Sequence, residues 1–126
     1  MAYDEELAER VRQTLACQPG ITEKKMFGGA AFMLWGNMCC GIVGRDLMVR
    51  VGPGRYREAL ALPYVRPMDF TGRPLPGMVY VAVGGYRTDE ALKFWIDQAL
   101  SFARSLPARE ANGPRNRGPR RDSDRT

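Results

Sequence analysis

The chain has 126 residues, 44% of them hydrophobic and 26% charged, with a net charge of +5. That is the size of one domain, with enough apolar side chains to bury a core without covalent staples. It contains no histidine, which excludes Ser-His and Cys-His dyads, histidine metal sites and the commonest general acid–base group.

Three cysteines, two of them adjacent, form an odd set and read as free thiols of a reducing cytosol. No apolar run approaches the roughly 18 residues of a membrane span, and the N-terminus opens on Asp4, Glu5 and Glu6 rather than on a basic leader. The expectation is a soluble, cytoplasmic protein with no membrane contact. The charge is unevenly spread. Residues 108–126 hold six arginines against three acids, which leaves residues 1–107 nearly balanced.

Residues Tyr3 to Gln18 read as an amphipathic helix, with Leu7, Val11 and Leu15 at four-residue steps and acids at the N-terminal end. Pro19-Gly20 stops it. The stretch from Met26 to Gly52 is the longest apolar-rich run and carries turn signals at short intervals. It reads as a three-stranded antiparallel meander, with Lys25-Met26-Phe27 as a lead-in strand. Gly36-Asn37 is the first two-residue turn, which sets Trp35 opposite Met38. With Arg45-Asp46 as the second turn, one face carries Ala31, Met33, Trp35, Met38, Cys40, Ile42, Leu47, Val49 and Val51, the expected core face. The other holds Phe32, Leu34, Cys39, Gly41, Val43, Met48 and Arg50, a mixed set with a hole at Gly41. Neither face is plainly polar, so both call for a cover, whether helix, loop or second chain.

Gly52-Pro53-Gly54 leads into a short helix, RYREALAL, ended by Pro63. Residues 64–77 are dense in proline and glycine and read as an irregular but ordered loop, anchored by Met68 and Phe70. Met78 to Val83 alternates as a strand, and Gly84-Gly85 turns the chain. Thr88-Asp89-Glu90 starts a helix that runs to about Leu106, with Leu92, Trp95, Ala99, Phe102 and Leu106 as its inward stripe. The remainder, from Ala108, is Arg-rich, without aliphatic residues beyond alanine, and reads as a disordered tail. The fold class is therefore α+β, an antiparallel sheet (meander 26–52 plus strand 78–83) packed with N- and C-terminal helices.

Each candidate for chemistry has a structural counterpart. Cys39-Cys40 as a redox or soft-metal pair would need both sulfurs on one side, whereas neighbours in a strand point to opposite faces, so buried small hydrophobes are the better reading. The seven methionines read as core filler. Gly52-Pro53-Gly54-Arg55-Tyr56-Arg57 opens a helix as a phosphate turn does, but lacks the third glycine and a P-loop lysine, so a Pro-preset helix start is preferred. The loop RPMDFTGRP exceeds structural need in its detail. Arg66, Met68, Asp69, Phe70 and Arg73 form a candidate partner-binding loop, set against an internally bridged cover in which Asp69 accepts from an arginine or from backbone donors. In the tail, Arg115, Arg117, Arg120 and Arg121 are candidate nucleic-acid contacts, set against a solvated charge run. Catalytic residues, metal ligands and cofactors: none are expected.

Two blocks, KKMFGGAAFMLWGNMCCGIVGRDLMVRVG and RPMDFTGRPLPGMVYV, together with the helix DEALKFWIDQALSFARSLP, closely resemble the N-terminal domain of the TfoX/Sxy family from about Lys24 to Pro107. The resemblance implies an α+β domain similar to the secretion-chaperone-like fold, in a bacterial regulator. Two-domain members are positive regulators of natural competence that act with the transcription machinery. Here an Arg-rich tail stands where the second domain would begin, and the family supplies no catalytic residues to transfer. The expected function is that of a non-enzymatic regulatory or adaptor domain holding a protein partner, with a homodimer through the mixed sheet face as one form of it. The alternative is a nucleic-acid accessory protein that binds weakly through its tail.

Overall fold

The computed structural model describes residues 3–26, 28–69 and 74–108. Asp4 opens the first helix, α1 (Glu5–Thr14), its carboxylate accepting from the backbone N–H of Glu6 and Leu7. Six strands follow: β1 (Ile21–Met26), β2 (Gly29–Leu34), β3 (Asn37–Val43), β4 (Asp46–Arg50), β5 (Val65–Asp69) and β6 (Pro74–Val81). Between β4 and β5 the chain makes a 3₁₀ turn at Pro53–Arg55 and a short helix, α2 (Tyr56–Leu60). A one-turn helix, α3 (Val83–Tyr86), then leads to α4 (Asp89–Arg104), capped by the Thr88 hydroxyl. The strands form one antiparallel sheet in the order β1-β2-β3-β4-β6-β5. The fold is α+β, with α1 and α4 on one face.

The lead-in strand is longer than the three residues expected, because the whole of Ile21–Met26 pairs with β2. The first hairpin turns one residue earlier than expected. Trp35 and Gly36, both at positive φ, make the turn, and Leu34 faces Asn37. Moving a two-residue turn back by one shifts the pairing by two residues, so Met33 still shares a face with Met38 as expected. Phe32 and Leu34 lie under the helices, while Ala31 and Met33 point away from them, the reverse of the expected faces for this strand. A left-handed tryptophan is costly, and tertiary contacts hold it there. The Trp35 backbone N–H donates to Gly20 O at 2.9 Å, and a Cβ at Gly20 would stand 2.3 Å from the indole. Asn37, buried on the helix side, donates its amide to Pro107 O at 2.8 Å.

A β-bulge divides the expected face, leaving Met33 and Met38 on the side away from the helices and Cys40 and Ile42 on the helix side. Phe32 faces Cys40 but Met33 faces Met38, so β3 has one residue more than β2 across this point. A bulge sets two residues of one strand against one of its neighbour, and here the pair is Cys39-Cys40. Contrary to the simple alternation, both cysteines are completely buried in the helix-side core. Beyond the bulge, Cys40, Ile42, Leu47, Val49 and Val51 lie where the sequence places them. The second turn is Gly44-Arg45, with Val43 facing Asp46; two residues of shift from the expected register leave the faces unchanged.

Within the stretch expected to be irregular, the described residues Val65–Asp69 and those from Pro74 onward are strand. Val65–Asp69 pairs with β6 as an edge strand, and β6 begins at Pro74. Proline is tolerated at an edge, where a missing N–H leaves no neighbour unsatisfied. Pro74 and Pro76 fall where β6 runs past its last pairing with β4, Met78 opposite Arg50. The expected continuation of this strand to Val83 is taken up instead by α3.

Two cores result. The helix side gathers Leu7, Val11, Phe32, Ile42, Val49, Val79, Trp95 and Ile96 with their neighbours. The other side buries Ala31, Met48, Met68, Met78 and Tyr80, with Met33, Met38 and Val43 packed around them. The hole at Gly41 is filled there, since a Cβ at that position would meet the Met48 methyl at 2.7 Å.

Candidate functional site

The segment after β4 builds a groove against α4. Gly52, at φ +89, lets the backbone pass so close to Phe102 that a Cβ would stand 2.4 Å from its ring. Pro53 then presets the 3₁₀ turn, as the structural reading of Gly-Pro-Gly expects, and α2 and α4 line opposite sides of a gap. The space between is about 640 Å³, with Val51, Ala59 and Trp95 as a buried floor and Leu62 and Phe94 as walls. A narrower part of about 320 Å³ continues toward Ser101, Phe102 and Ser105. Arg55 and Gln98 line both parts, and the Arg55 guanidinium donates to Gln98 Oε1 across the gap.

The floor is fixed by specific contacts. Trp95 Nε1–H donates to Gly85 O at 3.2 Å, and the Phe94 ring meets Trp95 edge-on with centroids 5.0 Å apart. The walls are unusual in being wet: Leu62 is 40% exposed and Phe94 45%. Tyr64, two residues beyond Leu62, is 59% exposed and held in the left-handed region at φ +68 with its ring against Gly84. Tyr64 follows Pro63 in a turn into β5, a position whose positive φ glycine usually supplies.

The second area is the methionine face, where the expected partner-binding loop begins. Arg66 pairs there with Asp46 at the start of β4 and stacks on Tyr80, its Cζ 4.8 Å from the ring centroid. The hydrogen bond from Arg66 to Asp46 raises the guanidinium pKa above its ordinary value, and burial raises that of the Tyr80 phenol. Met68 is 1% exposed and lies in the core beneath this face, so it anchors the strand rather than meeting a partner. Asp69 closes β5 and faces Pro74 in the ladder. Phe70 and Arg73 lie outside the described residues, as do Arg115, Arg117, Arg120 and Arg121.

The cysteine pair is completely buried in the helix-side core. The hydrogen bond between the Cys39 and Cys40 side chains, and then burial, push the Cys40 thiol well above its ordinary pKa. A neutral buried thiol is a poor nucleophile and a poor metal ligand, so the two sulfurs satisfy each other in the core. Cys17 is exposed. Among the described residues no group of three or more cysteines and carboxylates could hold a metal ion, and no helix is long and apolar enough to cross a membrane.

Sequence reasoning missed the groove. Phe94 carried a signal, because a large aromatic beside the Leu92-Trp95-Ala99 stripe sits on the polar side of an amphipathic helix. Leu62, the last residue of the expected helix RYREALAL, and Tyr64, just beyond Pro63, carried none.

The model of the TfoX N-terminal domain family matches residues 13–103, from within α1 to the last turn of α4. No curated protein and no solved structure matches the chain.

Proposed function

We propose, from the premise that this chain belongs to the TfoX N-terminal domain family, that it is a regulatory adaptor which holds a protein partner and performs no chemistry of its own. The family has a regulatory, competence-related role, and the finer reading concerns how this chain would serve one. The observation that carries it is the placement of Leu62 and Phe94, two of the three exposed large hydrophobics among the described residues, as walls of one groove with a buried aromatic floor. Apolar side chains kept in water at a concave surface are stable there only as a standing cost, which a partner relieves.

The test is photo-crosslinking in cells, with p-benzoylphenylalanine introduced one position at a time at Leu62, Phe94, Thr22 and Arg66. Discrete adducts with another protein at any of these surfaces support the adaptor reading. Absence of adducts at all four, from full chain that is folded and present, removes it.

The tail composition favours a second reading, contact with nucleic acid through Arg115, Arg117, Arg120 and Arg121. If all six tail arginines met duplex phosphates, the log-log salt slope of binding would be about −5. Replacing those four with alanine should then flatten the slope by about 4. Salt-independent binding, or none, dismisses the reading.

A further inference from the structure

The groove is chemically asymmetric along its length. Its wide part holds the large apolar side chains Leu62, Phe94 and Trp95 beside the polar Arg55 and Gln98, with Glu58 its one acid. Its narrow part has no acid in its lining and two arginines beside it. Arg55 lines it, and Arg50 lies over the Phe102 ring with Cζ 5.1 Å from the centroid. Arg55 is exposed and holds a neutral amide oxygen, Gln98 Oε1. A carboxylate is the stronger acceptor for a guanidinium, and can take two of its N–H groups at once.

We propose that the groove receives an acidic peptide segment of another protein, anchored by one bulky apolar side chain. This rests on the adaptor reading and names its partner chemistry. The anchor seats between Leu62 and Phe94 over Trp95. The carboxylates lie toward Phe102, where Arg55 gives up Gln98 for a carboxylate and Arg50 supplies a second cation. From Phe94 to Ser105 the α4 wall is roughly 16 Å long at the rise of a helix. That length accommodates about five extended residues or three helical turns.

Charge selects this occupant over the alternatives. The chain's own tail carries six arginines against three acids and would bring like charge to the narrow part. A second copy with its twofold axis through the narrow part would bring the Arg50 and Arg55 pairs of both copies together. A nucleic-acid backbone matches the arginines but leaves the apolar walls unfilled.

The experiment uses the full chain and fluorescein-labelled dodecapeptide pools with one fixed Trp, Phe or Leu, flanked by Asp/Glu in one series and Lys/Arg in the other. Fluorescence anisotropy is read across a salt series. Acidic pools with the apolar anchor should bind, and Phe94→Asp or Leu62→Asp should weaken them roughly tenfold or more. Arg55→Glu, in an exposed turn where folding is not at stake, should invert the preference from acidic to basic pools.

The proposal is overturned if basic pools bind the unmodified chain better, if no pool binds, or if the groove substitutions change nothing. It is equally overturned if replacing the tail arginines abolishes acidic-pool binding while Phe94→Asp does not, since the peptides are then on the tail. Self-association in sedimentation that Phe94→Asp abolishes makes a second copy the occupant and also overturns it. Should crosslinked partners appear while no acidic pool binds, the groove assignment falls and the adaptor reading survives; the absence of both removes both.

Discussion

The two faces of the sheet are built from the same strands but solve burial differently. The helix side is filled with branched and aromatic side chains locked between the sheet and α4, among them Phe32, Ile42, Val49, Val79 and Ile96. The opposite side is filled by methionines, with Met48, Met68 and Met78 buried and Met33 and Met38 around them. Branched side chains have few rotamers and suit a core whose shape is fixed by a packed helix. Unbranched thioethers adapt to an uneven surface such as the one left by Gly41. One side specifies the fold, and the other conforms to it.

That contrast can be broken from either side. The largest effect concerns the buried thiols. Timed alkylation should modify Cys17 readily, whereas Cys39 and Cys40 should react about a thousandfold more slowly or worse, because exposing them requires opening a marginally stable core worth about 5 kcal/mol or more. Comparable rates for all three would show that the bulge is open in solution. Next, Phe32→Ala, which empties space between sheet and helices, should cost about 3–5 kcal/mol in urea unfolding. On the methionine side Gly41→Ala should cost about 1–3 kcal/mol. A Cβ there stands 2.5 Å from Ala30 O as well as against Met48, so Met48→Ala should relieve only part of the clash.

Smaller still, Met48→Leu should cost under about 1.5 kcal/mol; a cost equal to that of Phe32→Ala would erase the distinction between rigid and adaptable faces. The smallest effect tests the sheet edge. Glu23 on β1 accepts two hydrogen bonds from Arg12 of α1, each at 2.8 Å, and this pairing holds its carboxyl below the usual value of 4.5. Because the folded pKa is the lower one, the stabilisation is present above about pH 4.5 and is lost as pH falls through the folded value. The pair is partly exposed, so Glu23→Gln should remove only about 0.5 kcal/mol at pH 7 and flatten the acid limb of stability against pH.

The candidate site divides along similar lines of legibility. Arg66 was visible as a charged residue beside apolar anchors, but its partner is Asp46, twenty residues earlier on another strand, which no local pattern announces. Met68 was visible as an anchor because an apolar residue amid prolines has little other purpose. The walls of the groove come from segments about thirty residues apart, Leu62 and Phe94, and become one surface only when the fold sets both at the same groove.

By itself the sequence determined what local chemistry governs. The cap at Thr88, the stop at Pro19-Gly20, the amphipathic faces of α1 and α4 and the antiparallel meander all follow from propensity, capping and periodicity within a few residues. Tertiary structure alone decided register and pairing. The turn falls on Trp35-Gly36 because the indole packs over Gly20 and Asn37 reaches Pro107. The bulge puts Cys39 and Cys40 on one side because β3 pairs with β2 with one extra residue opposite Phe32 while pairing regularly with β4. The proline-rich Val65–Asp69 becomes a strand because β6 offers it an edge. In each case the energy that settles the matter lies in a contact between residues far apart in the chain, where local sequence preference has no hold.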